Sequence, residues 1–258
     1  MERERYVNTS LAKALQVLDL FNGIEGKLSL SEIAQRLRTR PGSIYPIIYT
    51  LHKFGYLERD PETKKYSLGL HILALANQIL SSLDIREKAK PVLKRLAREL
   101  EVNAHLAVLY EGEVLYLDRE EAAPSVVIPS VIGRRVPPHC TALGKVLLAH
   151  NPEALEGLLA KGPLPALTPN TITNPDLLRR ELERVRQQGY ATDWEEFHEG
   201  NICVATPVRN YRGKVVAAIS VSLPKARLTH DPLDRFVQAV VAGGKEVSSA
   251  IGHHMGDK

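Results

Sequence analysis

Apolar residues recur at helical spacing through the first 60 positions, and the stripes they form predict three short helices. The first is capped by Ser10 and carries Leu11, Ala14, Leu15, Leu18 and Phe21 to a stop at Asn22-Gly23. The second runs from Ser29 to Leu37 with Leu30, Ile33, Ala34 and Leu37 on one face. After a tight break, a third begins near Pro41 and repeats the spacing with Ile44, Ile47, Ile48, Leu51 and Phe54. Two strand-like pieces then flank Asp60-Pro61-Glu62-Thr63, a turn signal. Three helices and a hairpin make a winged helix-turn-helix.

Further along, Leu70 to Leu83 lacks helix breakers and sets Leu73, Ala76, Leu80 and Leu83 at heptad-like spacing. Such a narrow seam suits pairing between subunits, although an ordinary amphipathic helix fits it too. Asp84 is placed to cap a helix to Leu100 with Val92, Leu93, Leu96 and Leu100 inward, which Pro91 should kink or divide. From Glu101 the period changes. Strands are expected over Asn103–Leu109 and Glu113–Asp118, joined by Glu111-Gly112, and over Val126–Ile132, closed by Gly133. Thr141–His150 reads as a helix, and Asn174-Pro175 opens another that ends at Gly189. Strands at Cys203–Arg209 and Lys214–Leu223 flank Asn210–Gly213, and a last helix spans Pro232–Ile251. Helices interleaved with antiparallel hairpins predict an α+β fold. The chain divides into residues 8–69, a linker helix at 70–83, and a second domain at 84–252.

Composition adds placement to this picture. From Ile33 to Leu57 there is no acidic residue, while Arg36, Arg38, Arg40 and Lys53 are basic. Residues 1–70 hold 11 Lys/Arg against 8 Asp/Glu, most of the chain's net charge of +4. A helix pair with a basic, acid-free second member suits a DNA phosphate backbone. Ser43, Tyr45, Tyr49, Thr50 and Lys53 on the second helix of the pair are the candidate DNA contacts. Arg38 and Arg40 in the turn are expected on phosphates, and Lys64 and Lys65 at the wing on an adjacent groove or phosphates. With no apolar run of bilayer length and no signal peptide, the chain is expected in the cytoplasm, away from membranes. Two cysteines are too few for a disulfide scaffold.

Candidate chemistry in the second domain is sparse. Ser220 and Ser222 lie two apart on a strand, so their hydroxyls share a face. With backbone N–H groups near a helix start at Thr141, they suit a carboxylate or another small oxyanion. Solvent-facing serines are the plainer alternative. His139-Cys140 and His198 with Cys203 are the candidates for catalysis or metal binding, but no catalytic or zinc spacing is present, nor a Walker loop or GxSxG motif. Neither an enzyme nor a cofactor or metal site is expected.

Three ordered motifs now carry a resemblance. Residues 131–145, Val-Ile-Gly-Arg-Arg-Val-Pro-Pro-His-Cys-Thr-Ala-Leu-Gly-Lys, resemble the central signature of the isocitrate lyase regulator (IclR) family of bacterial transcription factors. Gly189–Gly200 with Cys203–Val208 is similar to its second signature, and Gly213–Ser222 to its third. The resemblance covers about residues 8–252. It implies a winged helix-turn-helix, a dimerising linker helix and a GAF-like effector domain whose small-molecule ligand alters how dimers or tetramers hold promoter DNA. Carried over by motif, the effector residues are Ala142, Leu143, Asp193, Cys203, Ser220 and Ser222. Two departures stand out: Ala142-Leu143 replaces the Gly-Ala of smaller-effector relatives, and Pro46 stands where relatives commonly carry an Arg. The expected function is a sequence-specific transcriptional regulator controlled by an anionic metabolite. An architectural DNA-binding protein with a purely oligomerising second domain, or a small-molecule enzyme, are the competing readings.

Overall fold

The computed structural model describes residues 7–21, 26–75, 84–122 and 131–253. They form two compact units that divide at Ser82/Leu83.

In the N-terminal unit α1 spans Thr9–Asp19, α2 Leu30–Arg36 and α3 Pro41–Lys53, and β1 (Leu57–Arg59) pairs antiparallel with β2 (Tyr66–Leu68). The cap of α1 is Asn8, whose side-chain Oδ1 accepts the Leu11 N–H, rather than Ser10, which lies inside the helix. The inward stripe of α1 is also rotated from the expected one. Phe21, Ala14 and Leu18 pack inward as expected and Val17 joins them, whereas Leu11 and Leu15 are 60% and 55% exposed. The Asn22-Gly23 stop lies outside the described residues. Helix α2 opens with a full capping box: Ser29 Oγ accepts the Glu32 N–H and the Glu32 carboxylate accepts the Ser29 N–H. Ile33 on α2 and Ile44 and Ile48 on α3 fill the core between the helices, each burial stabilising the unit by about 1.5–3 kcal/mol. Phe54, expected inward, falls beyond the end of α3 and is 65% exposed. The chain then leaves through Gly69, where a Cβ would lie 2.1 Å from the Gly55 oxygen, so only glycine permits the close crossing. Residues 70–75 are helical, and 76–83, which hold most of the heptad-like seam, lie outside the described residues.

In the C-terminal unit a six-stranded antiparallel sheet has the order β5-β4-β3-β8-β7-β6. The strands are β3 (Asn103–Tyr110), β4 (Glu113–Glu120), β5 (Arg135–Val136), β6 (Ala191–Trp194), β7 (Asn201–Arg209) and β8 (Val215–Pro224). One face packs on α4 (Asp84–Leu100) and α8 (Leu233–Ala250). The other carries α5 (Ala142–Ala149), α6 (Pro152–Leu159) and α7 (Pro175–Gln188). Alternation along β8 shows the division: Ile219 and Val221 join the first core, Ala218 the second. Pro91 does not divide α4, which is one helix with Pro91 on its exposed side. Of the strand expected over Val126–Ile132 only Val131 and Ile132 are described, and they are exposed and not in a strand. Helix α6 and strand β6 were not expected. Asn151 caps α6 ahead of Pro152, the same Asn-Pro signal that marked α7.

No described helix is long and apolar enough to cross a membrane.

Candidate functional site

The α2–α3 pair presents its candidate residues on one exposed surface. Arg38 occupies the turn with φ 49°, and Arg40 is the N-cap residue of α3. Ser43, Tyr45, Tyr49, Thr50 and Lys53 are all exposed, opposite the buried Ile44, Ile48 and Leu51. The helix starts at Pro41, so Pro46 lies past its first turn, yet α3 continues unbroken to Lys53. Thr50 donates its hydroxyl to the Pro46 oxygen at 2.8 Å.

The wing lysines are held within the unit. Asp60 builds the wing turn by accepting the N–H groups of Glu62 and Thr63 at 3.0 and 2.8 Å, and it pairs with Lys27. Lys64, at φ 57°, lays its ammonium 2.5 Å from the Pro61 oxygen. Lys65 faces Glu32 at 3.6 Å.

In the C-terminal unit, strand register assembles a cavity on the α5 face. Asp193 on β6 stands opposite Cys203 on β7, Cys203 opposite Ser222 on β8, and Ser222 opposite Asn103 on β3. One row of side chains therefore crosses four strands. The next row on that face adds Ser220 and His105, also directly paired. The N-terminus of α5, capped by Thr141, closes the cavity from above with Ala142 and Leu143. All six residues carried over by motif line this one space, together with Tyr116 and Phe197. Its volume is about 30 Å³, room for a water or two.

Sequence reasoning missed His105 and Asn103, although the signal was present. They are polar residues two apart in an otherwise apolar strand, the same pattern that singled out Ser220 and Ser222.

Polar contacts fix the walls. Asp193 Oδ1 accepts the N–H groups of Glu196 (2.7 Å) and Phe197 (3.3 Å). Cys203 Sγ lies 3.0 Å from Ser222 Oγ and accepts from Asn201 Nδ2 at 3.1 Å. Ser220 Oγ is 3.5 Å from His105 Nδ1. Behind the wall, the Lys145 ammonium meets the Glu196 carboxylate at 2.5 Å, and Thr171 donates to the Glu196 carbonyl oxygen at 2.6 Å.

Burial governs the electrostatics. It pushes the Asp193 carboxyl up to about 7, against the two N–H bonds that favour the anion. It lowers His105 to about 4, helped by the nearby Arg119 charge, so that ring is neutral near pH 7. Burial also raises the thiols of Cys203 and Cys140, the latter to about 12, which makes both poor nucleophiles. No Lys or Arg is among the described residues lining the cavity. The positive element there is the N-terminal end of α5.

The His and Cys residues considered for a metal or for catalysis are dispersed. His139 is buried with Nε2 2.9 Å from the Pro165 oxygen, while His198 is exposed beside the Glu199 oxygen. No group of three or more His, Cys, Asp or Glu positioned to hold a metal occurs among the described residues.

Known proteins resemble the chain along nearly its whole length. Residues 10–61 match the IclR helix-turn-helix domain, and residues 77–249 match the family described as bacterial transcriptional regulator IclR C-terminal. The HTH-type transcriptional regulator XynR of Escherichia coli is 36% identical over 245 residues, covering 95% of this chain and 97% of that protein. KdgR, another HTH-type transcriptional regulator of Escherichia coli, is 31% identical over 252 residues, covering 95% of this chain and 94% of that protein. The crystal structure of an IclR homolog from Microbacterium hydrocarbonoxydans complexed with 4-hydroxybenzoate superposes with a TM-score of 0.85 at 28% identity, covering 94% of this chain and 99% of that one. The chain is thus a DNA-binding transcriptional regulator rather than an enzyme, and it belongs to the IclR family.

Proposed function

We propose that the effector is a small hydroxylated carboxylic acid held in the Asp193–Cys203–Ser222 cavity. Its carboxylate would lie at the N-terminus of α5, where backbone N–H groups and the helix dipole supply the positive end. Its hydroxyls would meet Ser220, Ser222 and Asp193, with Asp193 protonated and able to donate. The observation that carries this reading is the single cross-strand row that brings the motif residues of three strands together under α5. The related structure with bound 4-hydroxybenzoate, itself a hydroxylated acid, supports it. The cavity as it stands is too small for such a ligand, so binding must widen it. An opening of this kind provides the differential affinity for two arrangements that control by a ligand requires.

In this reading residues 8–69 bind promoter DNA through Arg38, Arg40, Ser43, Tyr45, Tyr49, Thr50 and Lys53, with Lys64 and Lys65 reaching phosphates once released from Pro61 and Glu32. Residues 70–83 join two copies into a dimer, or a dimer of dimers, and residues 84–252 form the effector domain. The protein works in the cytoplasm, where both DNA and metabolites are at hand.

The test is a thermal-shift screen of purified protein against small hydroxy, keto and aromatic hydroxy acids, followed by binding to the DNA upstream of its own gene. A specific effector raises the melting temperature by mass action and changes the affinity for that DNA. If no acid does either, the reading fails. If DNA is bound but no ligand ever alters it, the architectural alternative takes its place.

A further inference from the structure

The outward face of α3 carries little of the chemistry that ordinarily reads bases. At about 100° per residue, Gly42, Pro46, Tyr49 and Lys53 run down the middle of that face, with Tyr45 on one flank and Ser43 and Thr50 on the other. All seven are exposed. None is Arg, Asn, Gln, Asp or Glu; the one cation, Lys53, stands in the last turn, and the remaining base-bonding groups are the single hydroxyls of Ser43, Tyr45 and Tyr49, which cannot form a bidentate bond.

Apolar surface occupies the middle instead. The Tyr45 and Tyr49 rings stand 6.3 Å apart, tilted by 34°, with 49% and 54% of their surface exposed. The Pro46 ring lies beside them, and Thr50 has committed its hydroxyl hydrogen to the Pro46 oxygen. The cations cluster elsewhere, at Arg36, Arg38 and Arg40 around the turn, where phosphate contact positions the helix without specifying sequence.

Resting on the reading that this face enters the major groove, we infer that α3 recognises thymine-rich half-sites by packing the Tyr45–Tyr49 ridge and Pro46 against thymine 5-methyl groups. The methyl is the only apolar group a base pair displays in that groove, so it is the natural partner of a ridge with little to offer in hydrogen bonds.

The test uses full-length protein and a pool of randomised duplexes. Enriched half-sites are expected to carry thymines at the positions facing α3. Replacing each by deoxyuridine removes the methyl and leaves every hydrogen-bonding edge intact. Affinity should fall roughly three- to fivefold per contacted thymine, the factor that one buried methyl contributes. Tyr49→Ala should abolish the deoxyuridine penalty at the thymine that Tyr49 covers and leave it at the thymines facing Tyr45 and Pro46. Lys53→Ala should weaken both alike and lower the salt dependence. An enriched site indifferent to deoxyuridine overturns the inference alone, as does a guanine-anchored site that Tyr49→Ala leaves unchanged. Failure to enrich any sequence overturns both the inference and the DNA-facing assignment of α3.

Discussion

The Lys145 ammonium lies 2.5 Å from the Glu196 carboxylate, with the two side chains 1% and 7% exposed. This pair ties α5, which carries Ala142 and Leu143, to the β6–β7 loop, which carries Phe197 and bonds Asp193 through the N–H groups of Glu196 and Phe197. The second oxygen of Glu196, Oε2, is buried without a hydrogen-bond partner, so its charge depends on Lys145 and on the Glu196 Oε1 contacts. Lys145→Met should therefore strand a buried carboxylate and cost about 3–5 kcal/mol, measured by urea unfolding. The double variant Lys145→Met/Glu196→Leu should recover much of that loss. A single variant within 1 kcal/mol of the parent would show that the loop holds without the pair.

The pH dependence of stability should contain two opposed contributions. Asp193 is raised by burial to about 7 in the folded protein, so its neutral form is the one the fold favours. Its contribution is complete below pH 4 and is lost as pH rises towards 7. His105 is lowered to about 4, so its contribution is complete above pH 6.5 and is lost as pH falls towards 4. Asp193→Asn should leave the His105 trend, with stability falling as the solution is acidified through that window. His105→Gln should make the loss of stability on acidification shallower, the remainder coming from His139 and His150, which burial also lowers. Chemical denaturation at half-unit steps from pH 4 to 8 reads both, and parallel profiles for the two variants would refute the assignment.

Effector binding should couple to the same proton. An anion placed beside Asp193 favours its neutral form, so the complex holds a proton that the free protein releases above about pH 7. Affinity for an acidic effector should weaken as pH rises from 7 to 9, by up to about tenfold per unit. Asp193→Asn should flatten that dependence. Calorimetry in buffers of different ionisation enthalpy reports the proton directly, and zero uptake by the parent protein at pH 8 would disprove the coupling.

Gly144 shows why the central signature demands glycine. A Cβ there would lie 2.2 Å from the Pro138 oxygen and 2.3 Å from its Cα, because the His139-Cys140 loop crosses directly over α5. Gly144→Ala must push that loop away and should cost more than about 2 kcal/mol, together with loss of effector response. Gly157, inside α6, meets nothing within 4 Å of its Cβ position. Gly157→Ala should stabilise the protein by about 0.5–1 kcal/mol. Melting temperatures that move in the same direction for the two variants would contradict this account.

What could be read from the sequence follows the range of the interactions involved. The turn at Asp60 and the αL glycine at Gly189 are set by neighbours within a few residues, and both lie where their spacing placed them. The rotation of α1 was not legible, because Leu11 and Leu15 fit the spacing of Leu18 and Phe21 as well as Val17 does, and only the packed helices choose between them. The cavity was half legible. Ser220 and Ser222 announce a shared face, but the partners of that face depend on β8 lying between β3 and β7, a pairing over a hundred residues apart in the case of β3. Without that order His105 could not be set beside Ser220, nor Asn103 beside Ser222.

Pro46 occupies the middle of the exposed face of α3 and gives that helix no N–H at its sixth position. The fold tolerates this because Gly42, Ser43 and Pro46 are exposed and the buried stripe of Ile44, Ile48 and Leu51 is unbroken. Replacing Pro46 should therefore help the fold and alter recognition separately. Pro46→Ala restores the backbone bond and should stabilise the N-terminal unit by about 1–3 kcal/mol, less than the full penalty of an interior proline because the unfolded chain regains freedom. Pro46→Arg should give the same gain and also place a guanidinium at the centre of the exposed face of α3, where, if that face enters the major groove as proposed, a bidentate bond to guanine becomes available. Selection from randomised duplexes should then return a guanine at one position of each half-site that the parent does not select. The salt dependence of binding should change by no more than about one phosphate contact. Identical base preferences for the parent and Pro46→Arg would mean that position 46 does not face the bases.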